Sequence, residues 1–165
     1  MKISHTFALF ALLFVAQWAL AESPCVTQAD LTMLDGAPWT GSLSYLDYSS
    51  GESEQIPVTI QFDKPGKKKV IYRIKYPGES QYNSREKLRI SKDGRKLNGE
   101  PVVSRSVLED GTIVVVTEYR DKDDGQQADI RMTYSLHASR LEIRKEVRFD
   151  SDGEYFERNA YRLTR

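Results

Sequence analysis

Apolar residues recur at every second position along most of this chain. Ile56, Val58, Ile60 and Phe62 alternate with Gln55, Pro57, Thr59 and Gln61. Val70, Tyr72, Ile74 and Tyr76 repeat the pattern, as do Ile130, Met132, Tyr134 and Leu136. Leu141, Ile143, Val147 and Phe149 follow it with Lys145 interrupting. A period of two places one face of each segment against a core and the other in water. Turn signals punctuate the alternation at Ser50-Gly51, Pro65-Gly66, Pro77-Gly78, Asp93-Gly94, Asp110-Gly111, Asp124-Gly125 and Asp152-Gly153, with His137-Ala138-Ser139 dividing the long last gap.

The pattern predicts about nine strands, over 40–48, 54–63, 68–76, 84–92, 96–108, 111–120, 128–136, 139–150 and 153–164. The fifth is expected to bend or break at Asn98-Gly99-Glu100-Pro101, because proline cannot donate to a central ladder. No helix-length segment separates neighbouring strands, so consecutive strands should pair as antiparallel hairpins. Long strands joined by short turns favour an all-β, up-and-down antiparallel barrel over a sandwich, since closure removes the exposed edges. One short helix is expected before the first strand. Thr27 can cap it, Asp30 sits three residues on, Leu31, Met33 and Leu34 supply apolar contacts, and Asp35-Gly36-Ala37-Pro38 ends it. It either plugs one barrel end or belongs to a loose arm.

The N-terminus modifies this picture. Met1-Lys2 precedes an apolar run from Phe7 to Trp18, broken only by Gln17, and Ala19-Leu20-Ala21 has the A-x-A form of a cleavage site. Residues 1–21 therefore read as a signal peptide, 22–38 as an N-terminal arm and 39–165 as the barrel domain. Cleavage after Ala21 would leave 144 of the 165 residues, one domain in size, with a net charge of −1. An exported protein, periplasmic or secreted, is expected. No second apolar run is long enough to span a bilayer as a helix, and the near-neutral balance gives no whole-chain attraction to nucleic acid. The single Cys25 excludes a disulfide within one chain, leaving a free thiol or an intermolecular bond.

The motif Gly36-Ala37-Pro38-Trp39-Thr40-Gly41, together with Arg162 or Arg165 on the last strand, resembles the calycin superfamily, which includes lipocalins and fatty-acid-binding proteins. The resemblance implies a barrel plugged at one end, where the Trp packs beneath the Arg. The lipocalin spacing is G-x-W, whereas this chain has G-x-x-W. Tyr45-Leu46-Asp47-Tyr48, Ile143-Arg144-Lys145-Glu146-Val147 and Arg158-Asn159-Ala160-Tyr161 resemble an uncharacterised family of exported bacterial proteins, which implies no particular activity.

Candidate chemistry is sparse, and no catalytic residues, cofactor or metal ligands are assigned. His137 is the only histidine past the apolar leader and falls in a turn; no nucleophile motif and no Cys/His pair at metal spacing accompanies it. The protein is therefore not expected to be an enzyme. Asp121-Lys122-Asp123-Asp124-Gly125 places its glycine one position early for a calcium loop and reads as an acidic hairpin turn. Lys67-Lys68-Lys69 forms a basic tip, read as a solvated face, with contact to an anionic lipid or polymer as the alternative. Nine tyrosines are the compositional oddity. Those on apolar faces either fill the core with satisfied hydroxyls or line a cavity.

The last hairpin reads more sharply. A three-residue loop Ser151-Asp152-Gly153, with Gly153 in the left-handed region, pairs Phe149 with Tyr155, Val147 with Glu157, Lys145 with Asn159, Ile143 with Tyr161 and Leu141 with Leu163. Opposite charges then meet on the other face, Glu146 with Arg158 and Glu142 with Arg162. This register turns Lys145, Glu157 and Asn159 inward, either as an internal Lys145–Glu157 pair or as part of a hydrated site. The expected ligand site is Lys145, Glu157, Asn159 and Tyr161, with Tyr72 and Tyr134 in the wall and Ile60, Ile74, Met132 and Ile143 against an apolar body. Lys145 would meet an anionic head group. Two functions remain open: a binder of a small amphipathic or lipid-like molecule, and an envelope interaction or structural module with a filled barrel. Any protein partner is unspecified.

Overall fold

A computed structural model describes residues 23–150 and 152–165. The expected signal peptide and Ser151 lie outside the described residues.

Ten antiparallel strands form one sheet: β1 (Trp39–Leu46), β2 (Ser53–Phe62), β3 (Lys69–Lys75), β4 (Ser84–Arg89), β5 (Lys96–Leu97), β6 (Glu100–Val107), β7 (Ile113–Asp123), β8 (Gln126–Leu136), β9 (Arg140–Arg148) and β10 (Phe156–Thr164). The strand order is β4-β3-β2-β1-β10-β9-β8-β7-β6-β5. Chain neighbours are sheet neighbours except at two places. β1 meets β10, and β4 touches β5 through the single bridge Ile90↔Leu97, beside which the Asn98 N–H donates to the Arg89 carbonyl at 2.7 Å. The sheet is thus a nearly closed barrel with a thin seam between β4 and β5.

The all-β barrel matches the sequence expectation, and the count rises from nine to ten because the fifth strand breaks where expected. Asn98 and Gly99 both have positive φ, 58° and 101°. That geometry makes a two-residue hairpin whose twist matches its flanking strands, and it turns one long segment into β5 and β6. Asp124-Gly125 likewise joins β7 to β8, with Asp123 opposite Gln126. The acidic segment is therefore a hairpin turn.

One barrel end is plugged. The helix α1 (Gln28–Leu31) runs into a 3₁₀ turn, Thr32–Leu34. Val26, Leu31 and Leu34 are buried in the same core as Trp39, Phe62, Val70, Leu88, Leu136, Leu141 and Leu163. The arm is therefore part of the fold. The Thr27 N–H donates to the Asp30 carboxylate at 2.9 Å, and Asp30, only 3 % exposed, takes two further bonds from the Arg105 guanidinium at 2.7 and 2.9 Å. Burial opposes ionisation of Asp30, but Arg105 and Thr27 outweigh it and hold its pKa below the ordinary value. The Val26 N–H also bonds to the Gly94 carbonyl at 2.9 Å, so the arm is tied to the β4–β5 turn beside the seam. No helix among the described residues is long and apolar enough to cross a membrane.

Arg165, rather than Arg162, covers Trp39. Its guanidinium carbon lies 4.3 Å from the indole centroid, and it donates to the carbonyls of Met33 at 2.7 Å, Asp35 at 2.6 Å and Ala138 at 3.0 Å. The indole Nε1–H donates to the Leu34 carbonyl at 3.2 Å. One cation thus satisfies carbonyls at the end of the plug while stacking on the ring beneath it.

The last hairpin departs from expectation. β9 ends at Arg148 and β10 begins at Phe156, so the loop is longer than three residues, and Gly153 does not adopt positive φ. Val147 pairs with Phe156 and Glu146 with Glu157; the register then shifts between Glu157 and Asn159. This bulge restores Lys145↔Asn159, Ile143↔Tyr161, Glu142↔Arg162 and Leu141↔Leu163. Without it the Val147↔Phe156 register would continue as Ile143 opposite Ala160, turning Tyr161 and Leu163 away from the core.

Candidate functional site

Inward-facing side chains differ sharply in burial. One set is tightly buried. Trp39 and Ile60 are 0 % exposed, and Ile74 and Ile143 are 5 % and 8 % exposed. Three apolar residues expected to touch a ligand, Ile60, Ile74 and Ile143, are therefore packed into the core. Other inward-facing side chains, Leu43, Ile56, Tyr72, Tyr76, Met132, Lys145, Asn159 and Tyr161, keep part of their surface in solvent. Tyr134 is 4 % exposed.

Five of the six expected site residues share this inward wall. Tyr161 and Tyr76 hydroxyls are hydrogen-bonded to each other at 2.9 Å. The Tyr72 ring packs on Phe62 with centroids 5.1 Å apart. Burial, with Glu86 and Tyr76 nearby, pushes the Tyr72 pKa up to about 12. Burial raises Tyr134 and Tyr161 as well, so all three hydroxyls stay protonated at neutral pH. Asn159 lies beside Lys145 across the β9–β10 ladder.

Glu157 is the exception. It sits at the bulge opposite Glu146, on the outside, where Arg162 donates to it at 2.5 and 3.1 Å and the Ser44 hydroxyl at 3.2 Å. The expected Lys145–Glu157 pair does not form, because the bulge carries Glu157 to the opposite face.

Lys145 instead pairs with Asp123, on the inward face of β7. Asp123 is 8 % exposed and also accepts the Tyr48 hydroxyl at 2.6 Å, with Arg158 Nε at 3.5 Å. Burial opposes the Asp123 charge, but Lys145, Tyr48 and Arg158 together hold its pKa below the ordinary value. The Arg158 guanidinium lies 4.1 Å from the Tyr48 ring centroid and donates to the Leu46 carbonyl. The bulge therefore also aims Arg158 at this cluster. Tyr48 is held by its loop, in which the Asp47 carboxylate accepts from the Ser49 N–H and hydroxyl at 2.8 and 2.7 Å. Tyr48, Phe149 and Phe156 then cover the β8–β10 side of the mouth.

Two carboxylates border the uncovered side. Glu86 shares the inward face of β4 with Leu88 and stands opposite Tyr72; Glu100 pairs with the inward Leu97. Both act on the ring hydroxyls, Glu86 on Tyr72 and Tyr161, Glu100 on Tyr119 and Tyr134. Neither has a cationic partner among the described residues. The part-exposed inward face thus combines tyrosines, Met132 and Asn159 with one internally neutralised ion pair and, beside the β4–β5 seam, two free carboxylates.

Asp123 and Glu86 carried a readable signal. Alternation from Ile113 through Val115, Thr117 and Tyr119 reaches Asp123 on the inward face, and alternation back from Ile90 reaches Glu86. Tyr48 and Arg158 had none, since a loop and a bulge place them.

A separate groove of about 470 Å³ lies outside the barrel, lined by Leu108, Val114, His137, Arg140, Leu141 and Arg162. His137 Nδ1 lies 3.1 Å from the Ser139 hydroxyl, while the neighbouring Asp110 carboxylate takes Arg140 at 2.7 Å. No group of side chains among the described residues has the makings of a metal site. No protein-family model matches the chain, and no curated protein matches it.

Proposed function

We propose that this protein is an exported, calycin-like barrel, without catalytic activity, that binds one small amphipathic molecule in its mouth. The observation that carries this reading is the partial exposure of inward-facing Tyr72, Tyr76, Met132 and Tyr161, packed against the core. A binding site for a small molecule needs an apolar wall with a few placed polar groups, and these residues supply both. Arg165 stacked on Trp39 at the plugged end supports the calycin-like reading. The ligand's polar end is neutral or cationic. Lys145 is already matched by Asp123, whereas Glu86 and Glu100 are free and the tyrosine rings present faces that attract cations. An anionic head group at Lys145 would have to displace Asp123.

Native mass spectrometry tests this with three probes of equal chain length: dodecyltrimethylammonium, dodecyl maltoside and dodecyl sulfate, each below its micelle concentration. One molecule of the ammonium or maltoside compound should be retained in preference to the sulfate, and Met132→Trp, which fills the mouth, should abolish retention. Equal retention of all three probes, or retention unchanged by Met132→Trp, would overturn the reading.

The outer groove favours a second reading, an interaction module that works through its outside. In that case no probe is retained, and Met132→Trp changes nothing.

A further inference from the structure

Charge is strongly segregated along this chain. Between Lys64 and Lys96 there are 12 basic and 3 acidic residues, although the whole chain is neutral. The β3–β4 hairpin turns most of that charge to one side. Its inward face carries Val70, Ile74 and Leu88. On its outward face Lys69 stands opposite Arg89, Ile71 opposite Lys87, and Arg73 opposite Arg85. Two of these three rungs oppose like charges, which destabilises a sheet. Only Arg73 is neutralised, by Asp63 at 2.7 Å. Lys69, Lys75, Arg85, Lys87 and Arg89 are all exposed and pair with no carboxylate among the described residues. Lys64, Lys67 and Lys68 in the β2–β3 turn, and Lys92, Arg95 and Lys96 beyond β4, extend the patch around the plugged end.

Protection of a sheet edge accounts for part of this. β4 borders the thin seam, and basic residues on an edge strand discourage pairing with other chains. It does not account for Lys69 and Lys75 on the interior strand β3, for like charges set opposite each other, or for the lysines of both turns. Such an arrangement relaxes when an external anion neutralises it.

We infer that the outward face of β3–β4, with its two flanking turns, docks on an anionic lipid bilayer. The face is extended, roughly 23 Å along β3 at the usual strand rise; the depression on it, about 210 Å³ and lined by Ile71, Arg85, Glu86 and Lys87, includes a carboxylate that opposes a single bound phosphate, as does the one beside the turns, about 270 Å³, where Asp93 joins Lys67, Lys68 and Lys92. Eight of its 12 cations are lysines, compact charges suited to diffuse attraction by a charged surface rather than bidentate recognition. Ile71 is the only apolar side chain on the outward rungs, so the contact is electrostatic and peripheral. The mouth, at the other end from the plug and its lysine turns, stays free.

Vesicle flotation tests this with the chain from Glu22 onward, which lacks the apolar leader, comparing phosphatidylcholine vesicles with vesicles that also contain phosphatidylglycerol. The protein should float only with the anionic vesicles and be released by high salt. Each neutralised cation should lower partitioning about fivefold, so Lys69→Gln/Lys87→Gln/Arg89→Gln should lower it on the order of 100-fold. The control Arg120→Gln/Lys122→Gln/Arg140→Gln on another face should lower it far less. The first triple variant should also melt at or above the temperature of the parent, since it removes the like-charge pair Lys69–Arg89. Equal flotation with both vesicle types, equal losses in the two triple variants, or binding to heparin without flotation would each overturn the inference, the last pointing to a soluble polyanion.

Discussion

Gly41 shows how one residue sets the packing of two strands. It pairs with Leu163 of β10 and Val58 of β2, next to the buried Trp39. A Cβ built at Gly41 would lie 2.1 Å from the Arg162 carbonyl oxygen and 3.0 Å from the Leu163 Cα. Both are backbone atoms of the strand that brings Arg165 to the indole, so neither can rotate away. Gly41→Ala should therefore destabilise the protein by about 3 kcal/mol or more, at or above the upper end of overpacking penalties. Urea unfolding followed by tryptophan fluorescence measures this, and a loss below about 1 kcal/mol would show that β1 and β10 can separate cheaply. Lys145 is the other instructive residue. It is inward-facing as the alternation requires, yet its charge is matched by a neighbour two strands away.

Among the elements, the plug and the β10 bulge do most to define the two ends. α1 is only four residues long and would not form alone, because nucleation costs more than one turn returns. Its stability comes from burying Val26, Leu31 and Leu34 and from the Asp30–Arg105 pair. Leu31→Ala should accordingly cost about 2–5 kcal/mol, the range for a buried leucine. A loosely attached arm would lose less than about 0.5 kcal/mol in the same unfolding measurement. The bulge acts at the mouth. Its extra residue compensates the long β9–β10 loop, keeps Tyr161 and Leu163 inward, sends Glu157 outside and brings Arg158 to Asp123.

The whole molecule joins a neutral total charge to a polarised distribution, and its buried ionisable groups bracket the pH range in which it is stable. Asp30 and Asp123 have folded-state pKa values below their unfolded ones. Their stabilisation is present above the unfolded value of about 4 and is lost as pH falls through the folded value. Tyr72, Tyr134 and Tyr161 have folded-state values above their unfolded ones. Their contribution is present below about pH 10 and is lost as pH rises, because the unfolded chain ionises first. Unfolding midpoints measured across pH should thus be level from about 5 to 9 and fall on both sides. Tyr72→Phe should lessen the alkaline fall, and a midpoint unchanged between pH 9 and 12 would contradict the tyrosine assignment.

Period-two alternation and regular turns were enough to determine an all-β meander, because a strand with one apolar face has only one way to hide it. The capping pattern at Thr27 and Asp30 placed the helix before β1, Asn98-Gly99-Glu100-Pro101 marked the break in the fifth strand, and alternation put Lys145, Asn159, Tyr161, Tyr72 and Tyr134 on one inward wall, together with Glu157, which the structure places outside. The motif around Trp39 led to the plugged end, and of the two arginines it offered, Arg165 is the one that stacks on the indole. Only the tertiary structure decided what those inward residues do. Alternation says which face a side chain occupies, not which residue from a distant strand reaches it. Asp123 meets Lys145 through the β7–β8–β9 order, Tyr48 arrives on a loop, and Arg158 and Glu157 are redirected by a bulge that a residue pattern does not mark. The like-charge ladder on β3–β4 also depends on register, since a shift of one residue would have turned those lysines and arginines toward the core.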